Sequence, residues 1–194
     1  MKKIYVTFED AQRMVGDILR QIQVDGWRPD VIVGITRGGL TPAVLLSQYL
    51  NVPMYTLDVR LRDSAGEMGP ESNLWLAEWA FGIKPEESYS TSRWEPRFRK
   101  NILIVDDIND SGATINWIVN DWQSSCYPDE KEIWRNVWED STRFAVLYDN
   151  LSSDAILSPA YSSQEINKAE DPSWIVFPWE EWWRRWNPNE EVIK

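Results

Sequence analysis

The chain has 194 residues, a net charge of −11, no histidine, one cysteine and thirteen tryptophans. Such an acidic balance excludes a nucleic-acid partner, because the phosphate backbone needs a positive footprint and only Arg93, Arg97, Arg99 and Lys100 cluster. Without histidine, proton transfer near neutral pH falls to carboxylates, tyrosine, lysine or bound water, and the lone Cys126 has no partner for a disulfide or a metal site.

The length suits a single domain over residues 1–194 with a sizeable core. The apolar run after Met1-Lys2-Lys3 is too short for a signal-peptide core and no stretch reaches transmembrane length, so a cytoplasmic protein with no membrane partner is expected. Thr7-Phe8-Glu9-Asp10 reads as a helix start, and Ala11, Met14, Val15, Ile18, Leu19 and Ile22 then follow one helical face. Arg28-Pro29-Asp30 ends that pattern before Val31–Ile35, a buried strand. Thr36-Arg37-Gly38-Gly39-Leu40 leads to Thr41-Pro42, an N-cap and N1 pair that predicts a helix over 42–50. Gly38 and Gly39 admit a close ligand or unusual dihedrals, and Arg37 adds a positive charge. From Pro53 onward, Tyr55, Leu57, Val59 and Leu61 alternate with Thr56, Asp58, Arg60 and Arg62, which predicts a strand with one wet face. Residues 63–99 are long and irregular apart from a short helical pattern at Leu74, Trp75, Ala77, Glu78 and Trp79, and a segment of that length between strands suits a lid.

Residues 102–114 organise the rest of the chain. Ile102-Leu103-Ile104-Val105 reads as a strand buried on both faces, the habit of a central parallel strand, so Asp106 and Asp107 fall at its carboxyl end. Asp110-Ser111-Gly112-Ala113-Thr114 is small and flexible enough to turn several N–H groups inward, and Ile115, Ile118, Val119 and Trp122 follow at helical spacing, a helix over 114–124. Strand, anion nest and helix N-terminus in series cradle a phosphate. Bare carboxylates beside that phosphate would repel it. The conflict is removed if Asp106 and Asp107 accept hydrogen bonds from neutral hydroxyls or hold a hydrated Mg²⁺ while the 111–114 amides take the phosphate. A ribose 5-phosphate offers both parts. The plainer alternative is an ordinary βα turn with Asp110 or Ser111 as N-cap.

Further on, Ile133, Trp134, Val137 and Trp138 form an amphipathic stripe within the insertion 125–142, suited to packing or a subunit contact. A strand follows from Arg143 to Tyr148, ending in Asp149-Asn150; Ser152 to Ser163 reads as loop with an extended piece near Ile156-Leu157. Pro172 to Glu180 opens a Trp-rich terminus that runs on through Trp182, Trp183 and Trp186.

The 102–114 stretch resembles the motif that binds 5-phosphoribosyl-1-pyrophosphate (PRPP) in the type I phosphoribosyltransferases, and Ile35 to Pro42 resembles their pyrophosphate loop. Trp174-Ile175-Val176-Phe177-Pro178-Trp179-Glu180 resembles the segment that covers the purine in xanthine-guanine members. The resemblance implies an α/β fold, a central parallel sheet flanked by helices, with a flexible lid over 63–99, a small hood, and a base-covering C-terminal segment over 151–194. It places a non-proline cis peptide beside Arg37 and makes Ser88-Tyr89 a candidate lid pair. The implied reaction is Mg²⁺-dependent transfer of the 5-phosphoribosyl group from PRPP to a purine-like base, with release of pyrophosphate.

On the same ground PRPP falls to Arg37, Gly38, Gly39, Asp106, Asp107, Asp110, Ser111, Gly112, Ala113 and Thr114, with Mg²⁺ held by Asp106 and Asp107 through water or the ribose hydroxyls. Asp110 is the candidate catalytic residue, as proton acceptor or N7 partner on the base side. Trp174 and Ile175 stack on the base and bind its edge, while Arg60, Arg97 and Arg99 are available to the pyrophosphate. Asn150, or Asp149 with a shift of one, falls where 6-oxopurine members carry a lysine that donates to O6. An amide both donates and accepts, which leaves oxo- and aminopurines open. The expected partners are PRPP, a nucleobase and further copies of the chain in a dimer or tetramer. A regulator that keeps the PRPP site as a sensor, without catalysis, is the rival expectation.

Overall fold

The computed structural model describes residues 1–59, 74–82, 99–125, 131–180 and 182–185. Arg60, Ser88-Tyr89, Arg97, Cys126, Trp186 and most of the expected lid lie outside these residues. In chain order the elements are β1 (Lys2–Tyr5), α1 (Phe8–Asp25), β2 (Val31–Ile35), α2 (Leu40–Leu50), β3 (Met54–Leu57), α3 (Leu74–Phe81), β4 (Ile102–Asn109), α4 (Ala113–Ser125), α5 (Lys131–Asn136), β5 (Thr142–Asn150), β6 (Tyr161–Ile166) and β7 (Ser173–Val176). Five strands form a parallel sheet in the order β3-β2-β4-β5-β6, and β1 pairs with β7 in a separate two-stranded parallel hood. Among the described residues no helix is long and apolar enough to cross a membrane.

The centre of the sheet is β4, as its unbroken apolar run predicts. Ile102 and Ile104 face a core shared with α3 and α4, Leu103 and Val105 face the core under α1 and α2, and all four are fully buried. Helix α1 opens with a reciprocal capping box, in which the Thr7 side chain accepts from the Asp10 N–H and the Asp10 carboxylate accepts from the Thr7 N–H, and it closes at Gly26 in the left-handed region, φ 72°. Helix α2 begins at Leu40, not at Pro42, with no side-chain cap on Gly39. Pro42 still falls within the first turn, where a missing N–H costs nothing.

Other departures trace to packing that no local pattern reveals. Strand β3 is short and on the sheet edge, where Tyr55 turns outward against Trp75 and Trp79 at 5.2 and 5.4 Å while Leu57 is buried. The 125–142 stripe does pack, as its pattern suggests, and within the chain's own core: Trp134 and Trp138 stack at 5.9 Å, and Trp138 continues onto Trp122 and Phe144. Strand β6 begins within the 152–163 stretch that reads as loop, because only Tyr161 and Ile166 of its six residues are apolar. Side chains of α1 fasten it instead, Gln21 donating to the Ser162 carbonyl at 2.6 Å and Ser163 donating to Asp17 at 2.9 Å. Within the C-terminal segment 151–194, residues 161–166 join the main sheet, while β7 pairs with β1.

Candidate active site

Strands β2 and β4 are parallel neighbours, with Gly34 opposite Val105, so their carboxyl ends deliver residues 36–39 and 106–114 to one edge of the sheet. Ligands of open α/β sheets bind at that edge. The Thr36-Arg37 peptide is cis, and Arg37 points outward into the cleft. The glycines here make room for the protein itself. A Cβ on Gly39 would lie 2.2 Å from the Val105 carbonyl oxygen and 2.9 Å from the Asp106 Cα, and one on Gly38 would lie 1.9 Å from Oδ2 of Asp107.

Asp106 and Asp107 emerge on successive residues of β4. Burial, and then the charge of Asp107, push the Asp106 carboxyl well above the usual range. Burial pushes Asp107 up to about 6, with Glu180 adding to the rise and a hydrogen bond from the Trp179 indole opposing it. Two partly dehydrated carboxylates side by side are the environment a cation or a set of hydroxyl donors would relieve. Among the described residues no cluster of three or more metal-ligating side chains occurs. A carboxylate pair without a full cage suits Mg²⁺, which takes one or two carboxylates and fills its shell with water and substrate phosphate.

The anion nest follows at 110–114. Gly112 has φ 83°, and a Cβ there would meet the Ala155 nitrogen at 2.3 Å. The chain after β5 is pressed onto this loop from outside. The Asp154 N–H donates to the Ser111 carbonyl at 3.2 Å, while Asn116 donates from Nδ2 to the Asp154 carbonyl at 2.9 Å and accepts the Ile156 N–H at 2.7 Å.

Asn150 serves the same clamp. It is buried, its Nδ2 donates to the Asp110 carbonyl at 2.7 Å, and its Oδ1 accepts from the Ser152 hydroxyl at 2.8 Å and the Lys168 N–H at 3.0 Å. The structure thus uses the Asn150 amide as a strut behind the loop, where the sequence placed it at the base. Asp149 accepts from Asn109 at 2.8 Å and is likewise engaged within the protein.

What the sequence missed is Lys168. The turn between β6 and β7 carries it into the cleft, where its Nζ lies 2.8 Å from Oδ1 of Asp110 and 6.0 Å from the Trp174 ring centroid. Its side chain is 17% exposed, so the ion pair is largely shielded from water. A signal was present, since Lys168 is the only cation between Gln164 and Asp171, just before the stretch resembling the base cover. Trp174 presents a 41% exposed indole to the cleft, Ile175 is buried behind it, and Lys3 stands opposite Trp174 in the β1–β7 pairing. Together these walls enclose about 890 Å³. Carboxylates and backbone N–H groups occupy one end of the space, and an indole, two lysines and the Asp110 carboxylate occupy the other.

Comparison with known proteins agrees with this geometry. The phosphoribosyl transferase domain family matches residues 5–184. A hypoxanthine-guanine phosphoribosyltransferase of Schizosaccharomyces pombe is 24% identical over 193 residues, covering 92% of this chain and 89% of the relative. A xanthine-guanine phosphoribosyltransferase of Cereibacter sphaeroides is 27% identical over 164 residues, covering 81% of this chain and 76% of the relative. The crystal structure of a purine phosphoribosyltransferase from Pyrococcus horikoshii shares the fold with a TM-score of 0.59 at 23% identity, over 100% of this chain and 99% of that one. With the family match running through both phosphate loops and β7, the chain belongs to the phosphoribosyl transferase family.

Proposed function

We propose that this enzyme transfers the 5-phosphoribosyl group from PRPP to N9 of a 6-oxopurine and releases pyrophosphate. The observation that carries the choice of base is the Lys168–Asp110 ion pair beside the exposed face of Trp174. Purine N7 and the 6-substituent share one edge, on which a 6-oxopurine carries an acceptor at O6 and adenine carries donor N–H groups. Lysine can only donate. Lys168 therefore complements O6 while Asp110 accepts from N7–H, and the amino group of adenine would face a cation with no acceptor to meet it. The named substrates of the fission-yeast and bacterial relatives, hypoxanthine, guanine and xanthine, are all 6-oxopurines.

In this reading the 111–114 amides hold the 5′-phosphate, Asp106 and Asp107 hold the ribose hydroxyls, and Arg37 with the 36–39 loop faces the pyrophosphate. Mg²⁺, when bound through the Asp106–Asp107 pair and PRPP, offsets the charge on the departing pyrophosphate. The N9 lone pair bonds to C1′ as the C1′–O bond breaks, and its electrons leave with pyrophosphate. The N7 proton passes to the Asp110 carboxylate, so that the purine ends neutral. Trp174 stacks on the base and keeps water from the cationic ribosyl centre.

Pyrophosphate release from PRPP and Mg²⁺ against a panel of bases tests this. Turnover is expected with hypoxanthine, guanine or xanthine, with kcat/KM for adenine lower by about 100-fold or more. Adenine as the preferred substrate, or silence with all three oxopurines, would overturn it.

A further inference from the structure

The run that covers the base also touches the ribose end of the cleft. The Trp179 indole Nε1–H donates to Oδ2 of Asp107 at 3.3 Å, and that same oxygen lies against Gly38 of the pyrophosphate loop. Trp179 is held as a rigid piece. Its ring stacks on Phe177 at 5.1 Å with 7° between the planes, and Phe8 packs on it at 6.4 Å. A turn closed twice fixes its backbone: the Glu180 N–H donates to the Phe177 carbonyl at 3.0 Å, and the Phe177 N–H donates to the Glu180 carboxylate at 3.2 Å. Five residues upstream in the same run stands Trp174, anchored through the β1–β7 pairing.

We propose that Trp179 is a positioning residue through which the base-covering run aligns the Asp107 carboxylate for the ribose of PRPP. A carboxylate at the end of a strand rotates about its χ angles, and a donor on one oxygen selects the rotamer that turns the other toward the ligand. Because Trp174 and Trp179 belong to one braced segment, a base held under Trp174 steadies the same segment that steadies Asp107. Linkage makes the effect reciprocal, so PRPP bound at Asp107 also favours the covered state of the base site. The inference rests on PRPP occupying the cleft and not on which base is used.

The test is Trp179→Phe, which keeps the ring stack and removes the N–H. Binding of PRPP with Mg²⁺ is measured directly by calorimetry, without any base, alongside Tm and steady-state constants. The expected result is a PRPP Kd and KM raised about tenfold, with kcat at saturating PRPP within about twofold of the parent and Tm unchanged. An unchanged PRPP Kd would overturn the proposal. So would a fall in Tm with both substrate constants raised, or failure to fold, since either shows that Trp179 acts by packing alone. A parent enzyme that binds PRPP but turns over no 6-oxopurine contradicts the base assignment and leaves this test intact.

Discussion

At the end of the cleft proposed for the phosphates, residues 36–39 and 106–114 follow two adjacent strands and bring backbone amides, glycines and acids on consecutive positions. At the end proposed for the base, Lys3, Lys168 and Trp174 come from three separate segments, meet Asp110 from the phosphate loop, and present side chains to the cleft. The first arrangement depends on where the main chain passes. The second depends on which side chain reaches the cleft, whatever its place in the sequence.

The sharpest way to break this contrast is to put a side chain where the phosphate end has no room. Gly39→Ala sets a Cβ 2.2 Å from a carbonyl oxygen and 2.9 Å from a Cα, neither of which yields without moving β4. The expected cost is about 3–5 kcal/mol, seen as a Tm lowered by roughly 6–20 °C together with loss of PRPP binding. A Tm equal to the parent's would show that the loops are not packed against each other.

A smaller effect, of opposite sign, is expected at the seam between the two ends. Burial raises Asp107 to about 6 in the native state, so the folded protein holds that proton more tightly than the unfolded chain does. Ionisation between about pH 4 and 6 therefore lowers stability, and the deficit is complete above pH 6. Asp107→Asn removes it. Denaturant unfolding at pH 7.5 should show the variant about 2–3 kcal/mol more stable without ligand, with no gain near pH 4, while PRPP binding is impaired. Equal effects at both pH values, or a loss at pH 7.5, would contradict this account of the carboxylate pair.

The phosphate end was legible because its chemistry is local. An apolar strand, two acids and a small-residue turn before a helix describe one continuous piece of backbone, and residues 102–114 fold accordingly. The glycines at 38 and 39 were read as admitting a close ligand or unusual dihedrals; what they accommodate is Asp107 and the β4 backbone, a long-range contact that local spacing does not encode. At the other end, the contiguous stretch with Trp174 and Ile175 was legible as a wall of the cleft. Asn150 was expected there by resemblance, since it falls where 6-oxopurine members carry a lysine, but its amide is turned behind the phosphate loop, and the cation in the cleft is Lys168, eighteen residues later. Strand β6, which sets up that turn, carries a polar pattern fastened by α1 and gives no periodic signal of its own.

The central claim is that Lys168, paired with Asp110, reads a 6-oxopurine, and Lys168→Met tests it with little change in side-chain length. The measurement is kcat/KM for hypoxanthine and for adenine in parent and variant at saturating PRPP. The predicted result is a loss of about 50-fold for hypoxanthine, roughly 2 kcal/mol, with adenine little changed and KM for PRPP as in the parent, so that discrimination collapses. Discrimination that survives the substitution would contradict the account and return the reading of the base to another residue.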